Sequence, residues 1–318
     1  MNFLQEFEAL RLKMPRLYNI NVGCENSDYC THADKDKNCY LVFAINFSED
    51  CMYGGIVLNS KDCVDCLNCE YSELCYECVD IDHCYNCIFS QDLKNSSDCH
   101  FCYDCVGSKN CFGCVGLRQK EYCIYNEYVG KERYREFLKG FDARNKQSIR
   151  EALSKLDDLQ LKIPRKFMHE TQAEACIGDY IGRSKNCFNC FNIHESEDCM
   201  YMQDCWRTVD SLDMTFSDGS TLCYDSFSIG LGSYNCNFSN YIRSSRDLEY
   251  CELCFNCKDC FGCIGLKDKQ YHILNQPLSR EEYFAKVAEL KAEMRTKGTY
   301  GKHLPTTYIY EDTAAVSQ

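Results

Sequence analysis

KNCFGCVGL, residues 109–117, returns 149 positions later as KDCFGCIGL, residues 258–266. Around the first copy the cysteines keep a fixed spacing. Cys39, Cys51, Cys63, Cys75, Cys87, Cys99, Cys111 and Cys123 each stand twelve residues after the last. Six residues further on runs a second row, Ile45, Val57, Cys69, Ile81, Leu93, Cys105 and Leu117, aliphatic or Cys throughout. Midway lie two sets of mostly small residues: Val42, Gly54, Cys66, Cys78, Ser90, Cys102 and Cys114, then Ser48, Ser60, Ser72, Cys84, Ser96 and Ser108. Asn or Asp usually precedes the first row, as at Asn38, Asp50, Asp62, Asn86, Asp98 and Asn110.

The second half carries the pattern with more erosion: Cys187, Cys199, Ser211 and Cys223, one inserted residue, then Cys236, Leu248, Cys260 and His272. A fixed period of this kind marks a repeat architecture. The expected fold is mainly β with flanking helices: two tandem narrow β-solenoids with twelve residues per coil and a Cys-lined interior. Twelve extended residues reach only about 40 Å around. The coil is therefore expected to be flattened, with two short strands, one inward residue every six, and coils stacked about 4.8 Å apart. Asn and Asp suit the bends, where their side chains satisfy turn amides and ladder from coil to coil.

The residue after each row position is expected to point outward: Tyr40, Met52, Val64, Tyr76, Ile88, His100, Phe112 and Ile124, then Phe188, Met200, Leu212, Tyr224, Asn237, Glu249, Phe261 and Ile273. So apolar a row calls for a cover, either from within the chain or from a protein partner or a second copy. FLQEFEALRLKMPR and LSKLDDLQLKIPR form helices before each solenoid, ended by Pro15 and Pro164. Ser148 with Glu151, and Ser279 with Glu282, read as capping boxes. The division is a helix and lead-in over 1–36, a first solenoid over 37–126, a helical linker and lead-in over 127–184, a second solenoid over 185–275, and a helix and tail over 276–318.

Chain-wide properties narrow the function. A net charge of -13 over 318 residues disfavours nucleic acid and anionic membrane, either of which needs a basic surface. MNFLQEFEALRLKMP scatters charge along an amphipathic helix and lacks the unbroken apolar run of a signal peptide. The expected compartment is the cytosol, where thiols stay reduced.

The 29 cysteines form twelve C-x-x-C pairs. Stacked coils would gather Cys63, Cys66, Cys75 and Cys78 into one four-thiol patch, and Cys99, Cys102, Cys111 and Cys114 into another. In the second half only Cys251, Cys260 and Cys263 survive of the latter, with Cys254 or Cys257 as substitutes. A tetrahedral zinc site needs four such sulfurs, and an iron–sulfur cluster needs more room. The competing reading is that Cys, a small buried residue, fills a narrow slot. It fits the rows better, because Cys39, Cys51 and Cys87 lack a partner three residues later. No cofactor is therefore the first expectation, with zinc or an iron–sulfur cluster as the alternative. His272 replaces a row Cys and His83 adjoins Cys84, but the histidines do not gather. No catalytic constellation emerges. The hexapeptide acyltransferases share a six-residue repeat, but their small residue stands two before the aliphatic one and here it stands three away.

KNCFGCVGLRQKEYCIYN (109–126), KDCFGCIGLKDKQYHILN (258–275) and SEDCMY (48–53 and 196–201) resemble a family of cysteine-rich repeat proteins of candidate-phyla-radiation bacteria. Members of that family often carry zinc-ribbon modules ahead of the repeats. The resemblance extends over nearly the whole chain and implies a repeat architecture, but no activity.

Overall fold

The computed structural model describes residues 2–15, 21–30, 33–42, 49–50, 52 and 85–302. The fold is mainly β, with four helices among the described residues and long sheets of parallel strands. The chain divides into two compact units, Leu17–Arg165 and Met1–Arg16 with Lys166–Gln318.

In the first unit, Ser97–His100, Lys109–Phe112 and Glu121–Ile124 pair in parallel at a twelve-residue offset, so Cys99, Cys111 and Cys123 stand opposite one another. In the second, Phe188, Met200, Leu212 and Tyr224 are aligned in the same way. The inserted residue raises the offset to thirteen at Tyr224 and Asn237. Twelve returns at Tyr234 and Arg246. The extra residue is thus absorbed at a corner between Gly230 and Tyr234, where Leu231 and Gly232 both have positive φ.

The interior differs from the flattened two-strand coil expected. An inward residue occurs every three positions, not every six: Cys87, Ser90, Leu93, Ser96, Cys99, Cys102, Cys105, Ser108, Cys111 and Cys114 are all buried. The cause is a left-handed residue in every triplet. Asp98, Phe101, Asp104, Gly107, Asn110 and Gly113 have φ between 48° and 64°, so each triplet runs outward, left-handed, inward. The left-handed region costs a non-Gly residue about 1–2 kcal/mol. Asn and Asp, which tolerate it best, bond corner to corner: Asn86 Nδ2 donates to Asp98 Oδ1 at 2.8 Å, Asn186 to Asp198 at 2.9 Å and Asn235 to Asp247 at 2.9 Å.

Helices cover one end of each ladder. In the first unit, α2 (Lys131–Gly140) and α3 (Lys146–Gln160) bury Tyr134 and Ala152 together with Phe101 and Phe112. In the second, α1 (Phe3–Lys13) and α4 (Arg280–Thr296) bury Phe3, Phe7 and Tyr283 with Tyr250, Phe261 and Ile273. The Ser279–Glu282 capping box is present. The Ser148 expectation is corrected: α3 is capped by Asn145, whose side chain accepts from the Gln147 amide at 2.8 Å, so Ser148 lies inside the helix. The outward row is accordingly split. Phe112 and Phe261 are 1% exposed beneath helices, while Tyr40, Met52, Phe188, Met200 and Tyr224 stay exposed. Val64 and Tyr76 lie outside the described residues.

Candidate functional site

The thiol columns were singled out from the sequence, and the structure gives the described sulfurs a structural task. The inward residue's amide points into the ladder, where it needs an acceptor. A side chain twelve positions earlier supplies it: Ser90 Oγ takes the Cys102 amide at 3.0 Å, Ser245 Oγ the Cys257 amide at 3.0 Å, and Cys114 Sγ the Asn126 amide at 3.4 Å. The same atom also donates. Ser90 Oγ–H bonds the carbonyls of Ile88 and Cys99, both at 3.1 Å, and Cys114 Sγ–H bonds those of Phe112 at 3.3 Å and Cys123 at 3.6 Å. Where the inward residue is Cys, Ser or Thr, one small side chain thus both accepts and donates, while Leu93, Ile193, Met202 and Leu248 fill other inward positions with apolar bulk. Sequence reasoning read these columns as space filling and missed this demand. Its signal was the interchange of Cys with Ser along some columns, as at Cys199, Ser211 and Cys223.

Cys63, Cys66, Cys75 and Cys78 lie outside the described residues. Cys99, Cys102, Cys111 and Cys114 are brought together on adjacent repeats, and each is at most 1% exposed. Cys251, Cys254, Cys257 and Cys260 occupy successive inward positions around one repeat, and Cys263 returns over Cys251, with all five buried. Their sulfurs bond backbone carbonyls, Cys251 that of Cys260 at 3.5 Å and Cys263 that of His272 at 3.3 Å. Burial pushes the Cys102 and Cys251 thiols well up, reinforced by neighbouring thiols. Burial, with the Asp204 carboxylate adding to it, raises Cys205 to about 12. Cys111 is drawn down by accepting from Cys114 and Cys99, and Cys187 by accepting from Cys190 and Cys199. Cys257 and Cys263 are likewise drawn down by neighbouring thiols, and Cys260 between them is pushed up. Among the described residues no group of three or more His, Cys, Asp or Glu side chains is arranged to hold a metal ion. Cys99, Cys105 and Cys114 are free thiols.

His272 occupies the inward column above Cys260, and its Nδ1 lies 2.7 Å from the Gln270 carbonyl. His83 lies outside the described residues. Sequence reasoning missed His169, whose Nδ1 is 3.0 Å from Asp179 Oδ1 and whose ring stacks on Tyr180 at 4.8 Å, at the start of the second ladder.

The repeated stretch itself is explained by the side chains that pack on its glycines. Gly113 and Gly262 have φ of 64° and 65°, and a Cβ there would lie 2.3 Å from the Tyr125 ring and 2.7 Å from the Phe3 ring. Three residues on, Gly116 and Gly265 leave room for Ile163 and Met14. Asn126 closes the first ladder with two hydrogen bonds to the Val115 backbone, its Oδ1 accepting from the amide and its Nδ2 donating to the carbonyl, both at 2.8 Å, and Asn275 does the same at Ile264.

No family model matches the chain, and no curated protein matches it. Among solved structures it has a faint likeness to the UDP-N-acetylglucosamine O-acyltransferase of Moraxella catarrhalis, at 9% identity and a TM-score of 0.11 over 77% of this chain. The match takes in 65% of the acyltransferase chain, just under two thirds of its length. A likeness that faint carries no argument about fold or activity. No helix among the described residues is long and apolar enough to cross a membrane.

Proposed function

We propose that the two ladders are tandem β-solenoids of twelve residues per coil, serving as a non-enzymatic scaffold that presents an apolar face to a protein partner. The observation that carries this reading is the row Ile177, Phe188, Met200, Leu212 and Tyr224, held in register on consecutive strands. All five are exposed or half-buried. A flat strip of large apolar side chains on a rigid parallel sheet is the form of an interaction surface. The thiols support the same reading from inside, since buried sulfurs engaged by backbone amides and carbonyls have no reach to a substrate. A reducing compartment such as the cytosol keeps them in that state.

The test has two arms. Protein purified without oxygen is expected to titrate all 29 thiols after denaturation and to hold no stoichiometric metal. Several tightly held zinc or iron ions per chain, lost on replacing Cys99, Cys102, Cys111 and Cys114 by Ser, would favour a metal-binding protein and overturn the scaffold reading. In the second arm, Met200→Lys with Tyr224→Lys is expected to abolish binding of an apolar fluorescent dye while leaving the circular dichroism unchanged. Undiminished dye binding would remove the face from the proposal.

A further inference from the structure

We propose that α1 is an exchangeable arm, and that the seat it fills on the second ladder accepts the same helix from a second copy of this chain. This stands apart from the outward apolar row and does not depend on it. α1 leads the first ladder in sequence, yet it packs within the unit of the second. α3 leads the second ladder, yet it packs within the unit of the first.

The two seats are equivalent, residue by residue. Ala152 and Leu156 stand 149 positions after Phe3 and Phe7, and all four are buried. Ile163 comes within 3.5 Å of a Cβ placed on Gly116, and Met14 within 3.4 Å of one placed on Gly265. Each seat is therefore shaped for the helix that leads the other ladder. The duplication itself demonstrates that a seat of this design takes a helix belonging to another repeat array.

The difference lies in the tether. α3 follows α2 after five residues, so its seat is filled locally. α1 reaches its seat across a sequence separation of 241 residues, at the ion pair of Arg11 with Glu252. A long tether gives a low effective concentration, and the same helix on another chain competes on similar terms. That is the usual setting for exchange of an identical element between protomers. The seat also specifies its occupant. Phe3 lies 4.7 Å from the Phe261 ring and 5.5 Å from Tyr250, over the bare Gly262. Arg11, 4.9 Å over the Phe7 ring, meets Glu252 in a buried position. The partner must bring two aromatics one turn apart and an Arg one turn beyond, and a second copy of this chain brings all three.

Arg11→Glu and Glu252→Arg, made in separate chains, place like charges in the seat of each. In a mixture, every helix finds an opposite charge only on the other chain. Each variant alone is expected to run at the 37.0 kDa chain mass by light scattering, and the co-expressed pair at twice that mass. A pair that stays at the single-chain mass, while Arg11→Glu/Glu252→Arg in one chain is folded and monomeric, overturns the proposal. Association through the outward row would instead double the mass of each unmixed variant. Should the inverted pair not fold, the wild-type chain decides. Co-expressed under two affinity tags, it is expected to co-purify across tags, and Phe3→Asp with Phe7→Asp to abolish this. Absence of cross-tag recovery from the wild type overturns the proposal.

Discussion

Cys205 tests whether the interior thiols are hydrogen-bonding parts or filler. Its sulfur donates to the Gln203 carbonyl at 3.2 Å and faces the Ser217 amide, and the residue is fully buried. Cys205→Ala leaves that amide without an acceptor, a loss of about 1–3 kcal/mol. The missing atom adds about 1 kcal/mol of lost burial. Cys205→Ser keeps both bonds and gives up only the apolar character of sulfur, again about 1 kcal/mol. The Ala variant should therefore fall below the Ser variant by at least about 1 kcal/mol, roughly a factor of five in the unfolding constant. The neighbouring Trp206 is the only tryptophan, so urea unfolding followed by its fluorescence reads the ladder that holds Cys205. If Ser proves as damaging as Ala, or worse, the amide argument fails and size and hydrophobicity alone explain the columns.

Gly262→Ala should cost more than Gly232→Ala. Both glycines are left-handed, worth about 1–2 kcal/mol for any side chain, but only at Gly262 does the new Cβ strike a ring, whereas Gly232 has nothing within 4 Å. Equal losses by chemical denaturation would mean that Phe3 does not occupy that seat. Stability should also fall in alkali. The Cys205 thiol is raised from 9.0 to about 12 by burial, so the unfolded chain loses this proton first. The contribution is complete below pH 9 and is lost as pH rises towards 12. Unfolding midpoints that stay flat over this window, or that Cys205→Ser leaves equally steep, would contradict it.

The twelve-residue register was legible because identical residues recur at one spacing, and Cys99, Cys111 and Cys123 do align. The outward row was legible for the same reason at Phe112 and Phe261. The three-residue inward spacing was not. Left-handed Asn86 and Asp98 suit a bend, but Phe101, Tyr122 and Tyr125 are also left-handed, and nothing in a Tyr or Phe announces that conformation. The inward amides escaped notice because a demand for an acceptor leaves its trace only as Cys and Ser exchanging along a column. The seat of α1 could not be inferred from adjacency, since sequence order pairs that helix with the ladder it precedes. Asn145 outcompeted Ser148 as a cap because α3 starts at Lys146, three residues earlier than a Ser148 cap would place it.

A backbone in which one residue of every three adopts the mirror-image conformation is, in stereochemical terms, partly enantiomeric. The positions now held by Asp104, Gly107, Asn110 and Gly113 lie in the basin that D-amino acids prefer. A chemically synthesised strip with D-alanine at such corners would be preorganised for this path, and L-alanine at the same corners would oppose it.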